Sequence, residues 1–268
     1  MVEYTGYKKL TDDEAADFYN KKFDSNSLCE NEYIIIGDSE AYCYQNSMLR
    51  RIEYPVIEND WSGTIKPRNV EQKIAMDMLN DRTSKVKLIR GVYGSGKDML
   101  MFNKALELID DGEFDKIIFI RPNLTVRNVP QIGALPGEVE DKLGWTYAPL
   151  YDKVGGKDGL DRLIMQNKIE MVPLLFLRGY SFQNSIVYVT EGQNIDTEIA
   201  KLILGRIGEG SECWINGDNH QTDNRIFDTD NGLTKMIDRL KGNKLFSYVY
   251  LPKTERSDVA NLANLLDD

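Results

Sequence analysis

Apolar and polar residues follow two different rhythms along the 268-residue chain. Up to about residue 65 the texture is mixed and rich in Tyr, Asn and Asp. There, Thr11 to Lys22 has helical periodicity, and Glu32 to Ile36 and Met48 to Ile52 read as strands. This predicts a small α+β module over residues 1–65. From Lys66 onward, short β-branched runs alternate with amphipathic stretches, the order expected of a parallel sheet wrapped by helices. The predicted strands are Lys85 to Arg90, Lys116 to Ile120, Ile186 to Thr190, Glu212 to Asn216 and Phe246 to Leu251. In the first four the apolar residues are largely consecutive, as in strands covered on both faces; the last is mixed. Helices are predicted over Val70 to Leu79, Asp98 to Ile109, Glu138 to Thr146, Thr197 to Arg206, Leu233 to Leu240 and Asp258 to Leu266. One α/β domain, residues 66–268, is therefore expected after the module.

Composition narrows the chemistry. The chain has 33 Lys and Arg against 43 Asp and Glu, a formal charge of −10, which disfavours a basic surface that blankets DNA but leaves a local groove open. No apolar run approaches the roughly 20 residues that cross a bilayer, and Met1-Val2-Glu3-Tyr4 lacks the order of a signal peptide. The expectation is a soluble cytoplasmic protein with no membrane partner. Cys29, Cys43 and Cys213 form neither a disulfide framework nor a zinc pattern, and a single histidine, His220, disfavours both a His-based metal centre and a Ser-His-Asp triad. Carboxylates, Lys, Arg, hydroxyls or a bound metal must carry any chemistry.

The strongest local signal is Gly91-Val92-Tyr93-Gly94-Ser95-Gly96-Lys97-Asp98, a G-x-x-x-x-G-K loop between an apolar strand and a helix. Such a loop wraps a phosphate chain so that backbone N–H groups and the helix N-terminus face the anion, while Lys97 supplies a compact charge to the terminal phosphates. The position after the lysine ordinarily carries Ser or Thr, whose hydroxyl binds magnesium; here it is Asp98. A carboxylate beside phosphates is repelled unless a cation lies between them, so nucleotide binding is expected to depend strongly on the metal. After the third predicted strand, Thr190 stands where an Asp usually steadies magnesium, and Glu191 follows where a Glu activates water.

These residues resemble the PhoH-like family of P-loop ATPases, whose ATPase core is similar to that of superfamily 1 helicases. The resemblance runs from about Lys66 to Ala263. It is carried, in order, by Lys66 to Gln72, Gly91 to Asp98, Gly133 to Glu138, Pro173 to Gly179, Glu191 to Asn194, Arg206 to Ser211 and Gly217 to Gln221. It implies a P-loop NTPase (RecA-like) parallel sheet with flanking helices, preceded by the small N-terminal module. It implies that Gln72 recognises adenine, that Asp218 and Gln221 sense the γ-phosphate, and that Arg256 is an arginine finger. The family pattern has Ser or Thr at the place of Asp98 and Asp at the place of Thr190. We read the two departures as a reciprocal exchange across the metal, against the competing reading of a degenerate site.

The resulting expectation is an ATP-binding, magnesium-dependent ATPase, with Lys97, Glu191 and Arg256 catalytic and with Asp98 and Thr190 around Mg2+. A superfamily 1 motor uses two RecA-like domains and only one fits here. A homo-oligomeric ring, with Arg256 or Arg206 reaching the neighbouring nucleotide, would supply the second wall for remodelling single-stranded RNA or DNA. The alternative is a nucleotide-gated assembly protein that binds ATP with little hydrolysis. A small-molecule kinase is disfavoured for want of a basic lid, and an RNase for want of an acidic cluster in the module. Tyr42, Tyr44 and Tyr54 are expected to pack a core rather than stack bases.

Overall fold

All five predicted runs of the main domain form strands of one sheet, joined by a sixth. The computed structural model describes residues 4–53, 55–122, 148–218 and 226–255. The N-terminal part comprises β1 (Tyr7–Lys9), α1 (Asp12–Tyr19), β2 (Glu32–Ile36), β3 (Glu40–Gln45) and β4 (Met48–Arg51), followed by a hairpin of β5 (Ile57–Asn59) and β6 (Gly63–Ile65). Then come α2 (Val70–Asn80), β7 (Val86–Gly91), α3 (Lys97–Asp110), β8 (Lys116–Ile120), α4 (Ala148–Tyr151), α5 (Lys157–Met165) and β9 (Ile169–Met171). The chain continues through β10 (Ser185–Val189), α6 (Thr197–Leu204), β11 (Glu212–Gly217), α7 (Ile226–Thr229), α8 (Gly232–Leu240) and β12 (Phe246–Leu251). The predicted helices 138–146 and 258–266 lie outside the described residues.

The large sheet has the order β12-β7-β11-β10-β8-β9 and every pair in it is parallel. All residues of β10 and β11 are buried, as their consecutive apolar residues require of strands covered on both faces. Ile89, Tyr188, Trp214 and Val249 point to the face covered by α2 and α3, whereas Leu88, Val187, Ile215 and Tyr248 meet α6 and α8. Helix α6 ends at Leu204, two residues before its predicted end, because Gly205 and Arg206 close the last turn with N–H bonds to Lys201 and Ile203.

Register places the site. Gly217 pairs with Arg90, Val189 with both Ile215 and Ile120, and Leu251 with Gly91. The residues that follow these strands therefore emerge along one edge of the sheet, where open α/β sheets bind ligands.

The small sheet, β1-β2-β3-β4, shares its core with the large one: Tyr33, Ile35 and Cys43 pack in the same cluster as Ile74 and Met78 of α2. Tyr44 is buried and Tyr42 is half-buried against Leu28 and Ile34, which is the core role expected of them; Tyr54 lies outside the described residues. The segment before β1 ties the two sheets together, because Thr5 accepts from the Tyr250 N–H at 2.9 Å and Gly6 accepts from the Tyr33 N–H at 3.0 Å. Gly6 has φ +82°, and a Cβ there would lie 1.8 Å from the Tyr248 carbonyl oxygen. Gly6→Ala is therefore expected to cost about 1–3 kcal/mol of stability, read as a lower urea midpoint at unchanged slope.

Candidate functional site

The loop from Gly91 to Asp98 joins β7 to α3 and is held from behind. Gly96 is the helix N-cap at φ 86°, and a Cβ on it would sit 2.9 Å from Gln72 Nε2, so glycine is required both by conformation and by close approach. Gln72 is 1% exposed; its Nε2 donates to the Ser95 carbonyl at 2.9 Å and its Oε1 accepts from the Arg68 N–H at 2.9 Å. It borders the cleft while bracing the loop against the start of α2. On the other side, the segment after β12 runs along the loop: Val92 N–H donates to Leu251 at 3.1 Å, and Glu255 N–H donates to Gly94 at 3.0 Å. Lys97 Nζ donates to the carbonyls of Gly91 and Val92, at 3.0 and 3.2 Å, which holds its charge over the loop. The first turn of α3 also presents N–H groups that no intrahelical acceptor can reach.

Asp98, in that first turn, has three protein partners. Its Oδ2 is paired with Lys153 Nζ, while its Oδ1 accepts from the Tyr188 hydroxyl and, at 3.1 Å, from Asn216 Nδ2. Asn216 Nδ2 also reaches the Tyr188 hydroxyl at 2.7 Å. Burial raises the Asp98 carboxyl, but the Lys153 charge and the three donors outweigh it and hold the group below the usual carboxylate range. Burial, with the Asp98 charge behind it, pushes the Tyr188 phenol up and keeps it a donor.

The acidic edge follows β10. Thr190 is buried, and its hydroxyl oxygen has no hydrogen-bond partner among the described residues. Glu191 takes φ 54° and ψ 41°, a left-handed conformation that costs a non-glycine residue about 1–2 kcal/mol and tends to collect at functional positions. It initiates the tight turn Gly192–Asn194, and its carboxylate accepts from Gln193 Nε2 at 2.8 Å and lies 3.6 Å from Arg121. The amide oxygen of Gln193 in turn accepts from the Asp218 N–H at 3.0 Å, so one glutamine couples the ends of β10 and β11. Asp218 itself is buried.

The loop, Asp98, Thr190, Glu191 and Asp218 line a single cleft of about 560 Å³. Arg256 and Gln221 lie outside the described residues, as do His220 and the segment 133–138. Arg206 is not on the cleft; its guanidinium donates to the Arg178 carbonyl at 3.4 Å. Sequence reasoning does not single out Lys153, Tyr188, Asn216 or Arg121. The last two stand at the C-terminal end of a parallel strand, which is a usable signal; Tyr188 reads as core, and Lys153 has no motif around it.

The arrangement suits a phosphate chain, with backbone donors and Lys97 on one wall and carboxylates on the other. A divalent cation also fits, because Asp98, Thr190 and Glu191 offer oxygens to the same cleft and the Thr190 hydroxyl is buried without a partner among the described residues. Magnesium in such sites is held by one or two side chains, with phosphates and water completing the shell. Among the described residues no cluster of three or more His, Cys, Asp or Glu side chains could hold a metal alone, and no helix is long and apolar enough to cross a membrane.

Comparison with known proteins agrees with the family resemblance. The chain is 32% identical over 203 residues to Protein PhoH2 of Thermobispora bispora, covering 74% of this chain and 46% of that protein. It is 29% identical over 282 residues to Protein PhoH2 of Bacillus subtilis, covering 97% of this chain and 63% of that protein. It is 34% identical over 168 residues to a PhoH-like protein of Bacillus subtilis, covering 62% and 52%. The chain thus spans roughly half the length of the curated relatives it matches. The family model described as PhoH-like protein matches residues 64–263, most of the chain and all of the cleft's elements, so the chain belongs to the PhoH-like family and carries its P-loop NTPase fold.

Proposed function

We propose that the cleft binds ATP with Mg2+ and hydrolyses it. The observation that carries this reading is the single sheet edge on which a G-x-x-x-x-G-K loop, a strained Glu191 and a buried Asp218 converge. Lys97 and the first turn of α3 hold the β- and γ-phosphates, and Glu191, aimed by Gln193, takes the proton of the attacking water. Asp98 and Thr190 are the oxygens that would hold magnesium, which neutralises charge on the phosphates when bound. Asp218, just after β11, and Gln221 sense the γ-phosphate, Gln72 reads adenine beyond its bracing role, and Arg256 completes the phosphate contacts. The test is phosphate release from ATP, with magnesium or EDTA, and with single-stranded RNA or DNA added. Turnover that needs magnesium and rises with the strands supports a remodelling role in a cytoplasmic homo-oligomer, in which a neighbouring copy in a ring would add a second wall to the cleft.

The reciprocal exchange of hydroxyl and carboxylate predicts non-additive damage. Asp98→Ser and Thr190→Asp are each expected to lower turnover about tenfold or more, and the double variant to recover most of the loss in a coupled cycle. Independent damage at the two positions would instead mark a degenerate metal site. One observation favours that second reading: Asp98 is already satisfied by Lys153, Tyr188 and Asn216. On it, ATP binding orders subunits without phosphate release, and oligomer mass depends on nucleotide while free phosphate does not rise.

A further inference from the structure

A carboxylate in the first turn of α3 stands where phosphates must approach, and by itself it repels them. The structure supplies the missing cation from the protein. Lys153 lies two residues after α4, with its backbone N–H on the Leu150 carbonyl at 3.0 Å. Its ammonium pairs with Asp98 Oδ2 and also reaches the Pro149 carbonyl at 3.2 Å, 5.7 Å from the centre of the Phe102 ring. The Lys153 side chain is 16% exposed, so the charge is sheltered, yet both members of the pair line the cleft. Of the three partners of Asp98, Tyr188 and Asn216 are neutral donors that satisfy an oxygen and cancel no charge. Lys153 cancels it.

We propose that Lys153 is the built-in counter-cation of Asp98, which lets the loop hold the phosphates of a nucleoside triphosphate without a divalent cation and limits how much magnesium adds to that binding. This rests on the nucleotide-binding reading above and reverses the metal dependence expected from the sequence. The pair sits beside the helix N-terminus, where the macrodipole favours Asp98, while Lys153 is also held by the Pro149 carbonyl and the Phe102 ring, so neither partner is held by the other alone. Magnesium and Lys153 then compete for the same carboxylate, so the charge of Lys153 adds little to phosphate binding once the metal takes Asp98.

The experiment is equilibrium binding of a non-hydrolysable ATP analogue in EDTA and in magnesium, so that turnover plays no part. For wild type the two affinities are expected to lie within about tenfold of each other. Lys153→Gln is expected to weaken binding in EDTA by roughly 10- to 100-fold, the factor one charged contact carries, and to change binding in magnesium by less than about threefold. Lys153→Arg keeps the charge and retains binding in EDTA. Adding Asp98→Asn to Lys153→Gln removes the uncompensated carboxylate and restores binding in EDTA. Equal losses in both buffers would make Lys153 an ordinary phosphate contact and overturn the proposal, as would an unchanged EDTA affinity in Lys153→Gln. Failure of wild type to bind in either buffer would instead remove the nucleotide reading on which the proposal stands, and unfolding curves for each variant separate loss of contact from loss of fold.

Discussion

Replacing Glu191 by Gln is expected to lower phosphate release by roughly 10²–10⁴-fold, the range that a positioned general base contributes, while nucleotide affinity stays within about threefold of wild type. The substitution is close to isosteric. A glutamine side-chain oxygen can still accept from Gln193 Nε2, the 2.8 Å bond that now aims the carboxylate, so the turn at Gly192–Asn194 is kept. What is lost is the ability to take a proton. The Glu191 carboxylate contacts Gln193 and Arg121 and follows a different strand from the loop residues 91–98, so the loss is expected to fall on kcat. Lys97→Ala is the necessary contrast, because it removes the charge held over Gly91 and Val92 and its loss falls on affinity. Parallel loss of affinity and turnover in Glu191→Gln would show that the carboxylate holds phosphate or metal rather than water.

The same two residues mark how far the amino-acid sequence alone carries the site. Lys97 and Glu191 are legible because each follows an apolar run that can only be a buried parallel strand, and such strands deliver their C-terminal residues to one edge. That reasoning also brings Asp98, Thr190 and Asp218 to one cleft. It fails for contacts with no periodic signature. Lys153 meets Asp98 across 55 positions of chain, and nothing around it in sequence marks it as anything but a surface lysine. Tyr188 sits inside a run that reads as core and is core, except that its hydroxyl reaches the carboxylate of Asp98. For Gln72 the resemblance implies contact with adenine, and what it does not contain is the bracing role: in the fold the amide is bonded to backbone at Arg68 and Ser95.

In the fold, the elements that escape a sequence reading are those whose stability is not local. Strand β9 has three residues, Ile169–Met171, and is fixed by its pairing with β8. Strand β3 mixes buried and half-buried residues and has strands on both sides to hold it. By contrast β12, whose mixed run is the weakest of the five, is buried at five of its six positions. Its outer neighbour is the Thr5–Gly6 segment, a contact from the far end of the chain that no window along residues 246–251 contains.

At the N-terminal ends of the strands, opposite the cleft, Glu212→Gln is expected to cost about 3–5 kcal/mol, the range for breaking a buried charge pair by removing one partner. Glu212 and Lys87 are both fully buried on neighbouring strands, β11 and β7, with Oε2 of the glutamate 2.6 Å from the lysine Nζ. Trp214 Nε1 donates to the same oxygen at 2.9 Å, and Arg82 and Lys85 approach the carboxylate at 3.2 and 3.4 Å. A glutamine keeps the shape but leaves Lys87, out of reach of water, without its counter-charge, whereas Arg82 and Lys85 are partly exposed and Arg82 keeps Glu113. Burial already lowers Lys87 to about 8, against the attraction of Glu212 that raises it. Without Glu212 its pKa falls further, so between that value and about 8 the folded variant has released a proton that its unfolded chain retains. The unfolded state then binds more protons than the folded one, stability of the variant climbs with pH, and its deficit against wild type narrows as pH rises towards 8. Urea unfolding of both proteins from pH 6 to 9 reads this directly. Adding Lys87→Met to Glu212→Gln removes the stranded ammonium and is expected to recover most of the loss and to abolish the pH dependence of the deficit below about pH 8, where wild-type Lys87 stays protonated. A deficit that stayed flat with pH in the single variant, or a double variant no more stable than the single, would mean that the cost lies in packing around Trp214 and not in the buried charge.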